Sequence, residues 1–251
     1  MNPRLTVRTF CHAALFTMMS AAVAHATQEG GAVQTVDLQK RHHAYYQSNA
    51  TPEIVSVEGG RFISILGSGS PGTDVFYDKK KALRLLMQEL VEMCTHRGSP
   101  FLIPPLEISY WYPNLPTPVT IGGFYTTYPL NDLRYRMMMR LPDFVTNNDI
   151  EQAGQSLAAA DKEARCHAEV FEMDGGIVLQ VLHTGPFADE LETLKRMQIF
   201  ADARKVNKSG PHHEIHLTDW EKGQPQDSLK TILRDPIESI SAPSTAQSSE
   251  R

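Results

Sequence analysis

Pro211-His212-His213-Glu214-Ile215-His216-Leu217-Thr218 alternates polar and apolar side chains along its length. On a β-strand successive side chains point to opposite faces. His212, Glu214, His216 and Thr218 therefore share one face, and His213, Ile215 and Leu217 the other. The second face suits packing on helices, and the first sets a carboxylate between two imidazoles. Three readings of that first face stand open. It can be a solvated strand face, as charged faces commonly are. It can line a site in which Glu214 works. It can also hold a metal through His212, Glu214 and His216, since alternate strand positions can serve zinc. No further ligand residue suggests itself, so the expectation is no metal and no cofactor.

Outward from this strand, hydrophobic spacing organises the chain. Ile54 to Val57 and Phe62 to Leu66 read as strands, followed by the loop Gly67-Ser68-Gly69-Ser70-Pro71-Gly72. That loop lacks the Lys-Ser/Thr ending and third glycine of a phosphate-binding turn. Asp74 is placed to cap a helix reaching about Met93, with Phe76, Leu83, Leu86, Leu90, Met93 and Cys94 at three- and four-residue spacing. Lys79-Lys80-Lys81 reads as its solvated start. Leu106 to Tyr112 is a strand carrying Glu107 and Tyr110-Trp111-Tyr112, and Pro113 to Tyr128 a long loop of the kind that often binds or covers ligands. Leu133 to Leu141 is a strand and Asn147 to Ala160 a helix.

The second half repeats the order. Cys166 to Met173 and Ile177 to Thr184 read as a hairpin around Asp174-Gly175-Gly176. Asp189 to Arg204 is a helix, and Leu229 to Leu233 a closing helical turn. The fold class expected is α+β: a duplicated strand-helix-strand-strand module forming a pseudo-twofold antiparallel sheet, with helices on one face and a ligand cleft on the other.

The ends carry a different signal. Arg4 and Arg8, the mostly apolar run Phe10 to Val23, and Ala24-His25-Ala26 have the three parts of a secretory signal peptide. Thr17, Ser20 and His12 break the run too often for a membrane anchor. The domain plan is a signal peptide at 1–26, a flexible leader at 27–37, one domain at 38–238 and a disordered tail at 239–251, with the chain periplasmic or secreted. The segment 1–26 holds two Arg and no acid, so its removal makes the chain more acidic than the −5 of the whole. That balance argues against nucleic acid or an anionic membrane as partner. Of three Cys, Cys94 and Cys166 remain, either as a disulfide or as buried thiols.

Several strings carry a family resemblance. His183-Thr184-Gly185-Pro186-Phe187, Glu192-Thr193 with Met197, His212-His213-Glu214-Ile215 and Leu229-Lys230-Thr231-Ile232-Leu233-Arg234 resemble the stand-alone GyrI-like family. The same domain type serves AraC- and MerR-type multidrug regulators as effector-binding domain. Pro52-Glu53-Ile54-Val55, Pro105-Leu106-Glu107 and Arg140-Leu141-Pro142-Asp143 agree, so the resemblance spans about Leu38 to Ile237. His216 stands where the family usually has Tyr.

What the resemblance implies is an aromatic cleft for a small molecule, with Glu214 at its centre and Tyr110 and Trp111 as its aromatic pair. His212, His216, Glu107 and His183 join the candidate ligand-binding set. Two functions follow. The chain sequesters amphipathic, cationic aromatic compounds, the carboxylate supplying countercharge; or it hydrolyses cyclopropane-bearing toxins, with Glu214 as general base. Burial is expected to raise the Glu214 pKa toward neutrality for that task.

Overall fold

The structure, a computed structural model, describes residues 34–160 and 167–240. The signal-peptide segment, most of the leader, Cys166 and residues 241–251 lie outside them.

Two copies of one unit build the sheet. The first is β2 (Gly60–Ser68), α2 (Asp74–His96), β3 (Leu106–Trp111) and β4 (Arg134–Arg140). The second is β6 (Gly176–Thr184), α4 (Glu190–Arg204), β8 (His212–His216) and β9 (Lys230–Ser239). Flanking them are α1 (Leu38–Arg41), β1 (Glu53–Val57), α3 (Asn147–Ala160), β5 (Ala168–Met173) and the short β7 (Val206–Lys208) on the far end of β9. The strand order is β1-β6-β9-β8-β3-β4-β2-β5, so β8 meets β3 at the pseudo-twofold centre. Every strand pairing is antiparallel, and Glu214 lies opposite Ile108, His212 opposite Tyr110. The α+β class and the duplicated unit agree with the sequence.

The hairpin expected at Asp174-Gly175-Gly176 does not form. β5 pairs with β2 and β6 with β1, in one unbroken register: Gly60 faces Met173 and Val57 faces Gly176. The long strand of one half therefore lies along that of the other, and the sheet closes on itself into a barrel-like ring. The two ladders join where Gly59 passes Gly175. A Cβ on Gly59 would sit 2.4 Å from the Met173 carbonyl oxygen, and one on Gly175 2.6 Å from that of Val57. The Asp-Gly-Gly turn signal was right about glycine and wrong about its use: close backbone approach, not chain reversal.

Three further expectations change. Leu229 to Leu233 is the start of a strand, because Thr231 and Leu233 pack toward the helices while Ile232 and Arg234 point inward, both sets buried between β6 and β8. The helix cap is Thr73, whose Oγ1 accepts from the Phe76 amide, with Asp74 in the first turn where its charge meets the helix dipole. Lys80 is buried at 2 % exposure. Its ammonium donates to the Trp220 carbonyl, lies 3.4 Å from both Asp219 and Glu221, and sits 4.1 Å over the Trp220 ring.

The two sheet faces have different fates. Ile63, Ile65, Met137 and Met139 pack with Leu83, Met87 and Leu90 of α2, while Leu179, Val181 and Leu233 pack with Leu194, Met197 and Ala201 of α4. Truncating Leu83, fully buried here, would cost about 2–5 kcal/mol. The other face turns into the ring. Tyr45, Tyr46, Phe62, Met138, Ile215 and Ile232 fill one part of that interior.

Candidate ligand site and its carboxylates

Glu214 points to the helix-bearing side of the sheet. It opens on a pocket of about 420 Å³ between the starts of α2 and α4, lined by Phe76, Tyr77, Tyr110, Tyr125, Phe187 and Trp220 among others. The face of β8 expected to carry the site is thus the one that meets the helices, and the face expected to pack on them, His213 and Ile215, turns into the ring instead. Glu214 itself is 4 % exposed.

Four side chains converge on its carboxylate. The Tyr125 hydroxyl donates a 2.5 Å hydrogen bond to Oε1. His216 Nε2 lies 3.2 Å from Oε2, and His212 Nε2 3.7 Å from Oε1. Glu190, the first residue of α4, lines the same pocket beside Glu214, and its buried Oε1 has no hydrogen-bond partner. Behind His212 the chain of charges continues. His212 Nδ1 is 3.2 Å from Asp235 Oδ2, and Lys208 pairs with the other Asp235 oxygen. Aromatic rings hold both imidazoles: Phe124 lies 4.9 Å from His212 by ring centroids, and Trp220 4.1 Å from His216.

The titration behaviour follows from these neighbours. Burial by itself would raise Glu214, but the nearby His212 and His216 imidazoles outweigh it and hold the carboxyl well below its usual range. The sequence expectation of a raised Glu214 is therefore reversed, because burial came with two imidazoles. Glu190 goes the other way: burial, then the Glu214 charge, push it well up. For His212, burial is outweighed by Asp235 and Glu214, which raise it toward imidazolium. Lys208 and His212 together bring Asp235 down to about 2 against its own burial. Tyr110 and Tyr125 are pushed well up, first by burial and then by the Glu214 charge, and stay donors.

The remaining candidates are elsewhere. Glu107 faces the ring interior, where its oxygens accept from Tyr45 (2.6 Å) and Tyr46 (2.9 Å) and meet His213 Nε2 at 2.9 Å. It ties the N-terminal segment to the sheet. His183 ties β6 to α4: Nε2 donates to the Pro186 carbonyl at 3.1 Å and Nδ1 accepts from Thr193 at 2.9 Å. Trp111, half-buried, lines a larger hollow of about 830 Å³ inside the ring, separate from Glu214. A cleft opposite the helices thus exists, and Glu214 is not in it. Among the described residues no three His, Cys, Asp or Glu side chains gather in a metal-holding arrangement. Cys94 is buried, and Arg97 donates to its sulfur at 3.1 Å.

Sequence reasoning missed Glu190, Tyr125, Asp235 and Lys208. An acid in a first helical turn looks like an ordinary dipole partner, and only the crossing of α4 over β8 buries it beside Glu214. Tyr125 was within the loop singled out for binding, but nothing in the sequence chose it from its neighbours.

No family model and no curated protein matches the chain. Solved structures do. An uncharacterised conserved protein from Listeria innocua is similar at 23% identity and TM-score 0.70, over 81% of this chain and all of its own. Two proteins called hydrolases from the same organism, both 22% identical, give TM-scores of 0.68 and 0.65 over 82% and 81% of this chain and all of theirs. What this chain shares with them is the fold.

Proposed function

We propose that the helix-side pocket takes a small aromatic or amphipathic molecule and hydrolyses it. The observation that carries this reading is the Glu190–Glu214 pair. Two carboxyl groups line the same aromatic pocket, and their surroundings drive their pKa values apart. Such a split is how one site holds an acid and a base together.

The chemistry follows from the geometry. Glu214, charged, orients a water and accepts its proton as the oxygen bonds to an electrophilic carbon of the substrate. Glu190 gives its proton to the atom that leaves, so a strained ring or an activated bond opens without releasing an anion into an apolar pocket. Proton return from Glu214 to Glu190 restores the site. Because His212 and His216 keep Glu214 a weak base, the reading favours substrates that are already electrophilic, such as the cyclopropane compounds the family resemblance suggests. Tyr110, Tyr125 and Trp220 would hold the ring system in register with the water.

Binding without turnover is the second reading, supported by the aromatic walls. In it the ligand need not be cationic, since His212 already offsets the Glu214 charge. The signal-like pattern of residues 1–26 leads us to propose that either activity operates in the periplasm or outside the cell. Mass spectrometry of aromatic cyclopropane compounds incubated with the chain tests the choice. Gain of one water, lost in both Glu214→Gln and Glu190→Gln while the compounds still bind, is the expected result. Bound but unaltered compound with the unsubstituted chain would leave binding alone.

A further inference from the structure

The larger hollow is independent of the Glu214 pocket and has chemistry of its own. It lies within the closed sheet, on the side that Tyr45 and Tyr46 leave open, with a volume of about 830 Å³. That is within the roughly 300–1,000 Å³ of sites for small molecules. Barrels that enclose such a space commonly hold a ligand in it. Its walls are apolar: Trp111, Val119, Phe171, Met173 and Pro236 among them.

Its polar lining is mainly basic. Arg136, Lys208, His213 and Arg234 reach it, against Asp174 and Glu238, both exposed at its edge. Arg136 is paired with Glu169 at 2.5 Å and Lys208 with Asp235. Arg234 differs. It is 1 % exposed, and among the described residues no carboxylate lies within ion-pair distance of it. Its Nε and Nη2 donate to neutral oxygens, those of Gln180 (3.0 and 2.8 Å) and of the Tyr45 backbone (2.7 Å), and Nη1 has no partner at all. The carboxylate of Glu107 is already engaged by Tyr45, Tyr46 and His213. The Glu107 charge reaches Arg234 without a direct ion pair, so the buried guanidinium, its Nη1 unpaired, lacks a contacting anion that a ligand would supply.

We propose that the hollow inside the ring is a second small-molecule site, taking an amphipathic anion: an apolar or aromatic body bearing a carboxylate or sulfonate that meets Arg234. Trp111 and Phe171 flank the body, and Arg136, stacked 4.1 Å from the Phe171 ring, adds a second positive charge beside it. This hollow and the Glu214 pocket then take different ligands from the two sides of the same strands. His213 and Ser109 belong to one and Glu214 to the other, with Tyr110 as the wall they share.

Calorimetric titration with naphthalenesulfonate, naphthol and naphthyltrimethylammonium tests this. The sulfonate is expected to bind about tenfold or more tighter than the other two, the worth of one charge-assisted hydrogen bond. Arg234→Gln should remove that preference. Because Arg234 also holds Tyr45 and Gln180, a misfolded variant is foreseeable, and Trp111→Leu, on the half-buried wall, then serves: it should weaken the sulfonate about tenfold. Three probes binding alike would overturn the proposal. So would a sulfonate affinity that falls with Glu214→Gln and ignores Trp111→Leu.

Discussion

The Tyr125 hydroxyl and the Glu214 carboxylate, 89 positions apart, are joined by a 2.5 Å hydrogen bond. One residue comes from the Pro-rich loop after β3 and the other from the centre of the sheet. The bond fastens the loop over the pocket and helps keep Glu214 ionised. Tyr125→Phe removes it without changing ring volume. Hydrogen bonds to charged groups are worth about 1.5–3 kcal/mol, so urea denaturation should show a loss near the lower end of that range, the Tyr ring being only half-buried. An unchanged midpoint would mean the loop does not depend on this bond.

Glu190 sets a pH dependence of stability. Its folded pKa is raised above the ordinary 4.5, so its contribution is complete below that value and is lost as pH rises toward the folded value. Glu214, shifted down, contributes above its ordinary value and loses that contribution only as pH falls. Over pH 5 to 8 Glu190 tilts the curve and Glu214 does not, while His212, raised from 6.5, and His213, lowered from it, add slopes that a Glu190 variant shares. Glu190→Gln should flatten it, gaining on the unsubstituted chain by up to about 1.4 kcal/mol per pH unit until Glu190 ionises. Thermal melts across that range decide the point; parallel curves would remove the buried-acid assignment.

Gly59 is a point of close backbone approach in the ring. Alanine there must displace the Met173 carbonyl, backbone rather than a flexible side chain. A cost of about 1–3 kcal/mol is expected, with the β2–β5 amides beside it losing hydrogen-exchange protection first. Gly154→Ala, within α3 and with open space at its Cβ, should instead stabilise by about 0.5–1 kcal/mol.

Export is read from residues 1–26 alone. N-terminal sequencing of the chain from its native host should begin at Thr27, after Ala24-His25-Ala26. Protein that retains Met1 would contradict it.

Local pattern and composition determined much. The alternation of His212 to His216 fixed which residues share a face, though Leu217 and Thr218 lie past the strand's end. The spacing of Leu83, Leu86 and Leu90 fixed α2, and each pattern is a property of neighbouring residues on a regular backbone. The duplicated order was legible for the same reason. What the sequence could not determine was which partner each strand takes. β5 and β6 are adjacent in sequence, yet each pairs with a strand of the other half, since long strands laid side by side bury more than a lone hairpin would. That choice put Trp111 and Glu107 inside the ring and Glu214 outside it. It also brought Glu190 onto Glu214, and with it the site's pKa values. Side-chain pKa depends on distances of a few ångströms between residues far apart in the chain, so the tertiary structure alone set which carboxyl keeps its proton.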